Sequence, residues 1–149
     1  MVFLCTTRLH ARNGIVILPL QGYNHNVNGL NQDLKIEHLC QTFYEEQIDF
    51  GCLQETWLSG DYQREIKTKH AGKLVSCLIF HHMQPIQQDR GSGGVAILLG
   101  KGGQRAWKDA GSPDPIRSEL INGIARSMGL ELHVKDKYKK VLKYFIITA

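Results

Sequence analysis

No run of apolar residues in this sequence is long enough to cross a membrane. Residues 1–5 are apolar, but Arg8, His10 and Arg12 follow at once, so the run is too short for the hydrophobic region of a secretory leader. Residues 14–20 form a second apolar run, broken by Pro19 and far below spanning length. Low-complexity tracts are missing too, which excludes fibrous and linker-like classes. Cysteine is sparse. The four present, Cys5, Cys40, Cys52 and Cys77, show no C-x-x-C spacing and no histidine at zinc-finger distance. They read as buried, reduced thiols rather than disulfides, and so as a sign of an intracellular compartment. Charge is modest as well: a net +4 with a pI near 8.9 permits contact with a polyanion without demanding it. The pair His81-His82 looks metal-like, but adjacent residues on a strand face opposite ways and make a poor chelate.

What is present suits a single soluble domain. At 149 residues the chain is long enough to bury about two-thirds of its unfolded surface. Residues 1–13 are expected to be a disordered extension or a misplaced start, and the domain runs from 14 to 149. The β-branched run at 15–18 predicts a buried strand, but Pro19 to Tyr23 intervene before the polar loop after residue 25, so the strand that enters that loop is expected to be short or shifted. Ile36, Leu39, Cys40 and Phe43 recur at i, i+3, i+4, i+7 and predict a helix over 33–47, capped by Asn31 or Asp33. Residues 48–53 predict the next strand. Strand, helix, strand at this spacing is a βαβ crossover with a parallel pair. Residues 59–72, polar and Lys-rich, are expected to be a loop or short helix, while 74–80 and 94–99 are two more buried strands. Residues 100–122, with Pro113, Pro115 and many glycines, predict a long surface excursion. Clean alternation over 123–134 (Arg126 excepted), a charged turn at 135–140 and the apolar run at 141–148 predict an antiparallel hairpin. Mixed pairing points to an α/β sandwich rather than a parallel Rossmann sheet.

Two stretches carry chemistry. His25-Asn26-Val27-Asn28-Gly29-Leu30 and Leu53-Gln54-Glu55-Thr56-Trp57-Leu58 each place polar residues where a strand gives way to a loop. Open α/β sheets bind ligands in the crevice outside the carboxyl ends of their strands. An amide at Asn26 and a carboxylate at Glu55 converging there suit Mg²⁺, which needs only one or two carboxylates beside waters and substrate phosphates. Each residue also has a plain structural reading. Asn28-Gly29 is a common turn dipeptide, and a Glu after a strand is often merely solvated. Trp57 is either core or an aromatic wall at the site mouth, and Ser92-Gly93-Gly94 is a turn. Lysines 135, 137, 139, 140 and 143 either touch DNA phosphates or form a solvated hairpin tip.

The segments NVNGL and LQETWL, followed by Arg90-Gly91-Ser92-Gly93-Gly94-Val95-Ala96-Ile97-Leu98-Leu99, together resemble the endonuclease/exonuclease/phosphatase family. Within it they are most similar to the apurinic/apyrimidinic-type endonuclease domain of non-LTR (LINE-like) retrotransposons. The resemblance runs from about residue 22 to 149 and covers the amino-terminal part of that domain. It implies a partial DNase I-like α/β sandwich, a mixed β-sheet with flanking helices, whose C-terminal half lies beyond Ala149 and which supplies chiefly one of the family's two sheets. It implies Asn26 and Glu55 as catalytic residues and ligands of Mg²⁺, with Mn²⁺ as a substitute, and Asn28 and Trp57 as DNA-contacting positions. Trp57 stands where related endonucleases often have His, and His25 where an aromatic or aliphatic residue is usual. The family's Tyr, Asp-x-Asn pair and Asp-His couple match nothing in this sequence, so nicking by this stretch alone is not expected. The implied partner is the DNA phosphate backbone, with a reverse transcriptase domain on the same chain in a full-length element, and no membrane. The implied location is the nucleus when acting on DNA, otherwise the cytoplasm. Two other readings compete: a non-catalytic or decayed nucleic-acid-binding fragment, and a lipid or inositol phosphate phosphodiesterase of the same fold.

Overall fold

The computed structural model describes residues 9–11, 14–16, 20–30, 33–83, 93–122, 125–136 and 138–149; for 9–11, 14–16 and Asp33 it describes the backbone alone. Cys5, Asn31, residues 90–92 and Lys137 lie outside the described residues, as does the Asp33 side chain. In chain order the elements are β1 (Leu9–Ala11), β2 (Gly14–Val16), β3 (Gly22–Asn26), α1 (Asp33–Glu45), β4 (Phe50–Gln54), β5 (Tyr62–His70), β6 (Lys73–His82), β7 (Val95–Leu99), α2 (Lys101–Asp109), β8 (Ile116–Arg117), β9 (Met128–Lys135) and β10 (Val141–Thr148). The protein is α/β with mixed pairing. A five-stranded sheet runs in the order β3-β4-β7-β6-β5, and a three-stranded sheet in the order β10-β9-β8. Only β3 and β4 pair in parallel in the larger sheet, with α1 as their crossover.

Period-2 alternation explains why the larger sheet is buried on both faces. Leu53, Cys77, Ile79, Ala96 and Leu98 point to one side and meet Ile36, Cys40 and Phe43 of α1. Their neighbours Cys52, Leu78, Phe80, Val95, Ile97 and Leu99 point to the other side and meet Ala106 of α2 and Met128, Leu130, Leu132 and Ile146 of the smaller sheet. The apolar stripe expected for α1 is thus the stripe it buries, at about 1.5–3 kcal/mol for a side chain such as Phe43. Cys40, Cys52 and Cys77 are all buried.

The strand entering the Asn26 loop is short and shifted, Gly22–Asn26, where the parallel ladder to β4 pairs Gly22 with Phe50 and Asn26 with Gln54. Several expectations need correction. Gly14–Val16 instead pairs with Leu9–Ala11, inside the stretch expected to be an extension. Residues 59–72 are not a loop or short helix. They contain β5, whose Ile66 and Thr68 are buried against α1 while Arg64, Glu65, Lys67 and Lys69 stay in water. Such charged side chains are what an edge strand carries to resist pairing with other molecules. Residues 100–122 are not only a surface excursion: they hold α2 and β8. Gly102-Gly103 has poor helix propensity, yet both sit hard against Asp49, where a side chain would collide. Finally, the chain does not supply chiefly one sheet. β8, β9 and β10 form a second sheet that covers the inner face of the first. The β9–β10 hairpin forms as expected, with Val141 opposite Lys135 and Thr148 opposite Met128, but its first strand begins at Met128, and residues 125–127, expected to belong to it, do not.

Candidate functional site

The end of the parallel pair is where the two polar motifs meet. Beyond Asn26 and Gln54 the two loops stay side by side, with hydrogen bonds from Val27 N–H to Gln54 O (3.0 Å), Gly29 N–H to Glu55 O (2.7 Å) and Leu30 N–H to Thr56 O (2.6 Å). The other flank of the 55–57 segment is tied to the entry of β7, by Thr56 N–H to Gly94 O (3.3 Å) and Trp57 N–H to Gly93 O (3.0 Å). The segment is therefore held from both sides like a short strand. Its backbone is not strand-like. Glu55 and Trp57 have φ of 52° and 54°, and Asn28 has 45°. Non-glycine residues in the left-handed region are uncommon, and they persist where surrounding contacts over-determine them, often at functional sites.

Asn26, Asn28 and Glu55 are exposed at this rim. The Asn26 side-chain oxygen accepts the Asn28 N–H at 3.1 Å, a local turn that fixes the amide and uses one of the two lone pairs of its oxygen. The Glu55 carboxylate makes no hydrogen bond or ion pair among the described residues. Trp57 is neither buried core nor free: it is 40% exposed, and its indole lies over Gly29, where an added Cβ would sit 2.5 Å from the ring. It forms a wall beside the Asn loop. Gly93 and Gly94 have φ of 101° and 87°, so these two residues of the expected turn are glycine for backbone reasons.

Residues that sequence reasoning passed over complete the rim. Gln54 Nε2 donates to Asn24 Oδ1 (2.9 Å) and to Thr148 Oγ1 (3.2 Å), so the end of β10 reaches the same edge as β3 and β4. Alternation along β3 and β10 could have put Asn24 with Asn26 and Thr148 with Ile146. The contact between the two sheets was not visible in it.

The adjacent histidines do face opposite ways. His81 is fully buried, with Nδ1 2.7 Å from Gly60 O and Nε2 2.7 Å from Thr56 Oγ1. Burial pushes its imidazole below the ordinary range. His82 lies between Asp61 Oδ1 (2.8 Å) and Ser118 O (2.9 Å) and so ties the end of β6 to the segment after β8. Burial works against ionisation of Asp61, but hydrogen bonds from His82 and Met83 N–H and the nearby Arg117 charge hold its carboxyl below the usual range. With all four ring nitrogens engaged, neither histidine has a lone pair free to take a proton from water.

The metal question turns on the donor set. No group of three or more His, Cys, Asp and Glu able to hold an ion occurs among the described residues. Asn26 and Glu55 offer one amide and one carboxylate oxygen on adjacent loops, which fits a hard, water-rich cation beside a phosphate and little else. The lysine-rich hairpin tip is remote from this. Seven strand steps separate Val141 from Thr148, roughly 24 Å at 3.4 Å each, so Lys139, Lys140 and Lys143 belong to the far end of the sheet or its flank. The chain matches no family model, no curated protein and no solved structure. No helix among the described residues is long and apolar enough to cross a membrane.

Proposed function

We propose that this chain carries the amino-terminal motif set of a Mg²⁺-dependent phosphodiesterase that nicks DNA, of the type found as the endonuclease domain of non-LTR retrotransposons. The observation supporting this most is the pairing of the two motif loops beyond the parallel strands, with Glu55 in left-handed backbone beside the fixed amide of Asn26. In this reading Asn26 and Glu55 hold Mg²⁺, or Mn²⁺ in its place. When bound, the ion stabilises charge developing on a phosphodiester oxygen. Asn28, in the Asn loop, and the exposed indole of Trp57, which packs on Gly29 of that loop, contact the DNA strand, Trp57 by stacking or steric guidance. A DNase I-like sandwich, a reverse transcriptase on the same chain and action in the nucleus belong to this proposal.

The committed ring nitrogens of His81 and His82 favour a second element of the reading: this stretch binds metal and nucleic acid but does not turn over by itself. Water activation needs a positioned group of suitable basicity, and the two buried histidines behind the rim, His81 and His82, are committed elsewhere. Titration calorimetry with Mg²⁺, backed by Mn²⁺ electron paramagnetic resonance, tests the site. Weak binding that vanishes in Glu55→Ala is expected, and equal binding by the variant overturns the assignment.

A further inference from the structure

Thr56 and His81 are among the most buried polar side chains of the protein, and both are fully enclosed. The Gly60 carbonyl can only accept, so His81 Nδ1 carries the proton, and Nε2 is left as the acceptor for the Thr56 hydroxyl. The result is a directed chain: Thr56 O–H to imidazole, imidazole N–H to Gly60 O. It grips the 56–60 segment at both ends and fastens it to β6. Thr56 is the residue immediately after Glu55, and its backbone also donates to Gly94 O and accepts from Leu30 N–H. Tyr62 stacks on the imidazole at 5.0 Å between centroids. A buried polar pair is costly unless fully satisfied, and here both members are.

We propose that the Thr56–His81 pair is a latch that positions Glu55 for metal binding, with His81 acting through Thr56 as a positioning residue. This rests on the metal reading of Glu55 given above. Glu55 and Trp57 both hold unfavourable left-handed backbone, and the one residue between them is anchored by three hydrogen bonds. Without that anchor the 55–57 segment relaxes towards ordinary backbone, and Glu55 loses its fixed place on the loop paired with the Asn26 loop. The titratable and charged groups facing the ring are Asp61 on the loop, His82 on β6 and Arg117 on β8. Neutral His81 is the form the latch uses.

The test uses the whole chain, with far-ultraviolet circular dichroism to check folding. Thr56→Val removes the hydroxyl at constant shape, and Thr56→Ser keeps it. Amide hydrogen exchange reads the segment directly, and Mn²⁺ affinity reads the carboxylate. For Thr56→Val, exchange at Gly29, Leu30 and Trp57 is expected to quicken, and Mn²⁺ affinity to fall about five-fold, the worth of one ordinary hydrogen bond. Exchange at Ile79 and Leu98 in the sheet centre should stay unchanged, and Thr56→Ser should restore both readouts. Should Thr56→Val not fold, His81→Gln replaces it. It keeps an amide oxygen near the Nε2 position as acceptor for Thr56 but gives up the Gly60 contact, so residues 29 and 30 stay protected, and faster exchange there in this variant overturns the latch. Uniform acceleration, no acceleration, or failure of Thr56→Ser to restore overturns the latch. Faster local exchange with unchanged Mn²⁺ affinity, in a protein where Glu55→Ala does abolish binding, overturns its role in positioning Glu55. Faster local exchange in a protein whose Mn²⁺ binding ignores Glu55→Ala supports the latch and removes the metal reading instead.

Discussion

A single methyl group at Gly94 should damage the candidate site more than its small size suggests. Gly94 has φ of 87°, and a Cβ built there would lie 2.6 Å from Thr56 Oγ1 and 3.3 Å from His81 Nε2. Two costs therefore combine in Gly94→Ala. Left-handed backbone costs an alanine about 1–2 kcal/mol. Forcing apart the Thr56–His81 hydrogen bond leaves buried polar groups unsatisfied, at about 1–3 kcal/mol. The sum, about 2–5 kcal/mol, is a large share of the stability of an ordinary domain. The structure supplies its own control. Gly72, in the β5–β6 turn, has φ of 76° and nothing within 4 Å of the added Cβ, so Gly72→Ala carries the backbone cost alone. Urea unfolding of both variants, with the slope checked for constancy, separates the two terms. Gly94→Ala should lie below Gly72→Ala by about 1–3 kcal/mol. Equal stabilities of the two variants would refute the reasoning, since the buried pair would then contribute nothing to the cost.

Four further outcomes follow. The purified chain should not nick supercoiled plasmid with Mg²⁺; nicking on agarose gels that disappears in Glu55→Ala would show that some residue does act as base. Folding holds His81 neutral, so below the ordinary histidine range, about pH 6.5, the unfolded chain binds a proton the native protein refuses. Stability should thus fall as pH falls from there towards the depressed native value, by up to about 1.4 kcal/mol per pH unit, and urea titrations of His81→Gln should show a shallower slope. Asp61, whose carboxyl is held low, contributes stability that is present above about pH 3.9 and is lost as pH falls through its native value. The outer face of the second sheet leaves Ile116, Phe145 and Ile147 more than half exposed, with Ile116 and Ile147 flanking Gly129 in one row. ANS fluorescence and light scattering should therefore report dye binding and self-association, both reduced in Phe145→Lys/Ile147→Thr. Unchanged dye binding in that variant would place the exposed apolar surface elsewhere.

The sequence by itself determined the elements whose signal is local. Ile36, Leu39, Cys40 and Phe43 mark α1 because a helix buries one face every 3.6 residues. The alternation read over 123–134 and the apolar run at 141–148 mark a hairpin because its partner lies one turn away. The neighbourhood of Asn26 and Glu55 was legible for a similar reason, since a βαβ unit sets the two strands side by side and brings their ends to one edge. Tertiary structure decided the rest. β5 reads as a solvated loop until α1 covers Ile66 and Thr68 and β6 supplies its hydrogen bonds. α2 forms on a glycine pair because contact with Asp49 rewards their missing side chains. His81 looks like half of a weak chelate until β6 places its ring between Thr56 and Gly60, residues 25 and 21 positions away. The joining of Thr148 to Gln54 spans 94 positions. No period in the sequence encodes such contacts, because they depend on how whole layers stack, and that stacking brings the polar groups of the rim together.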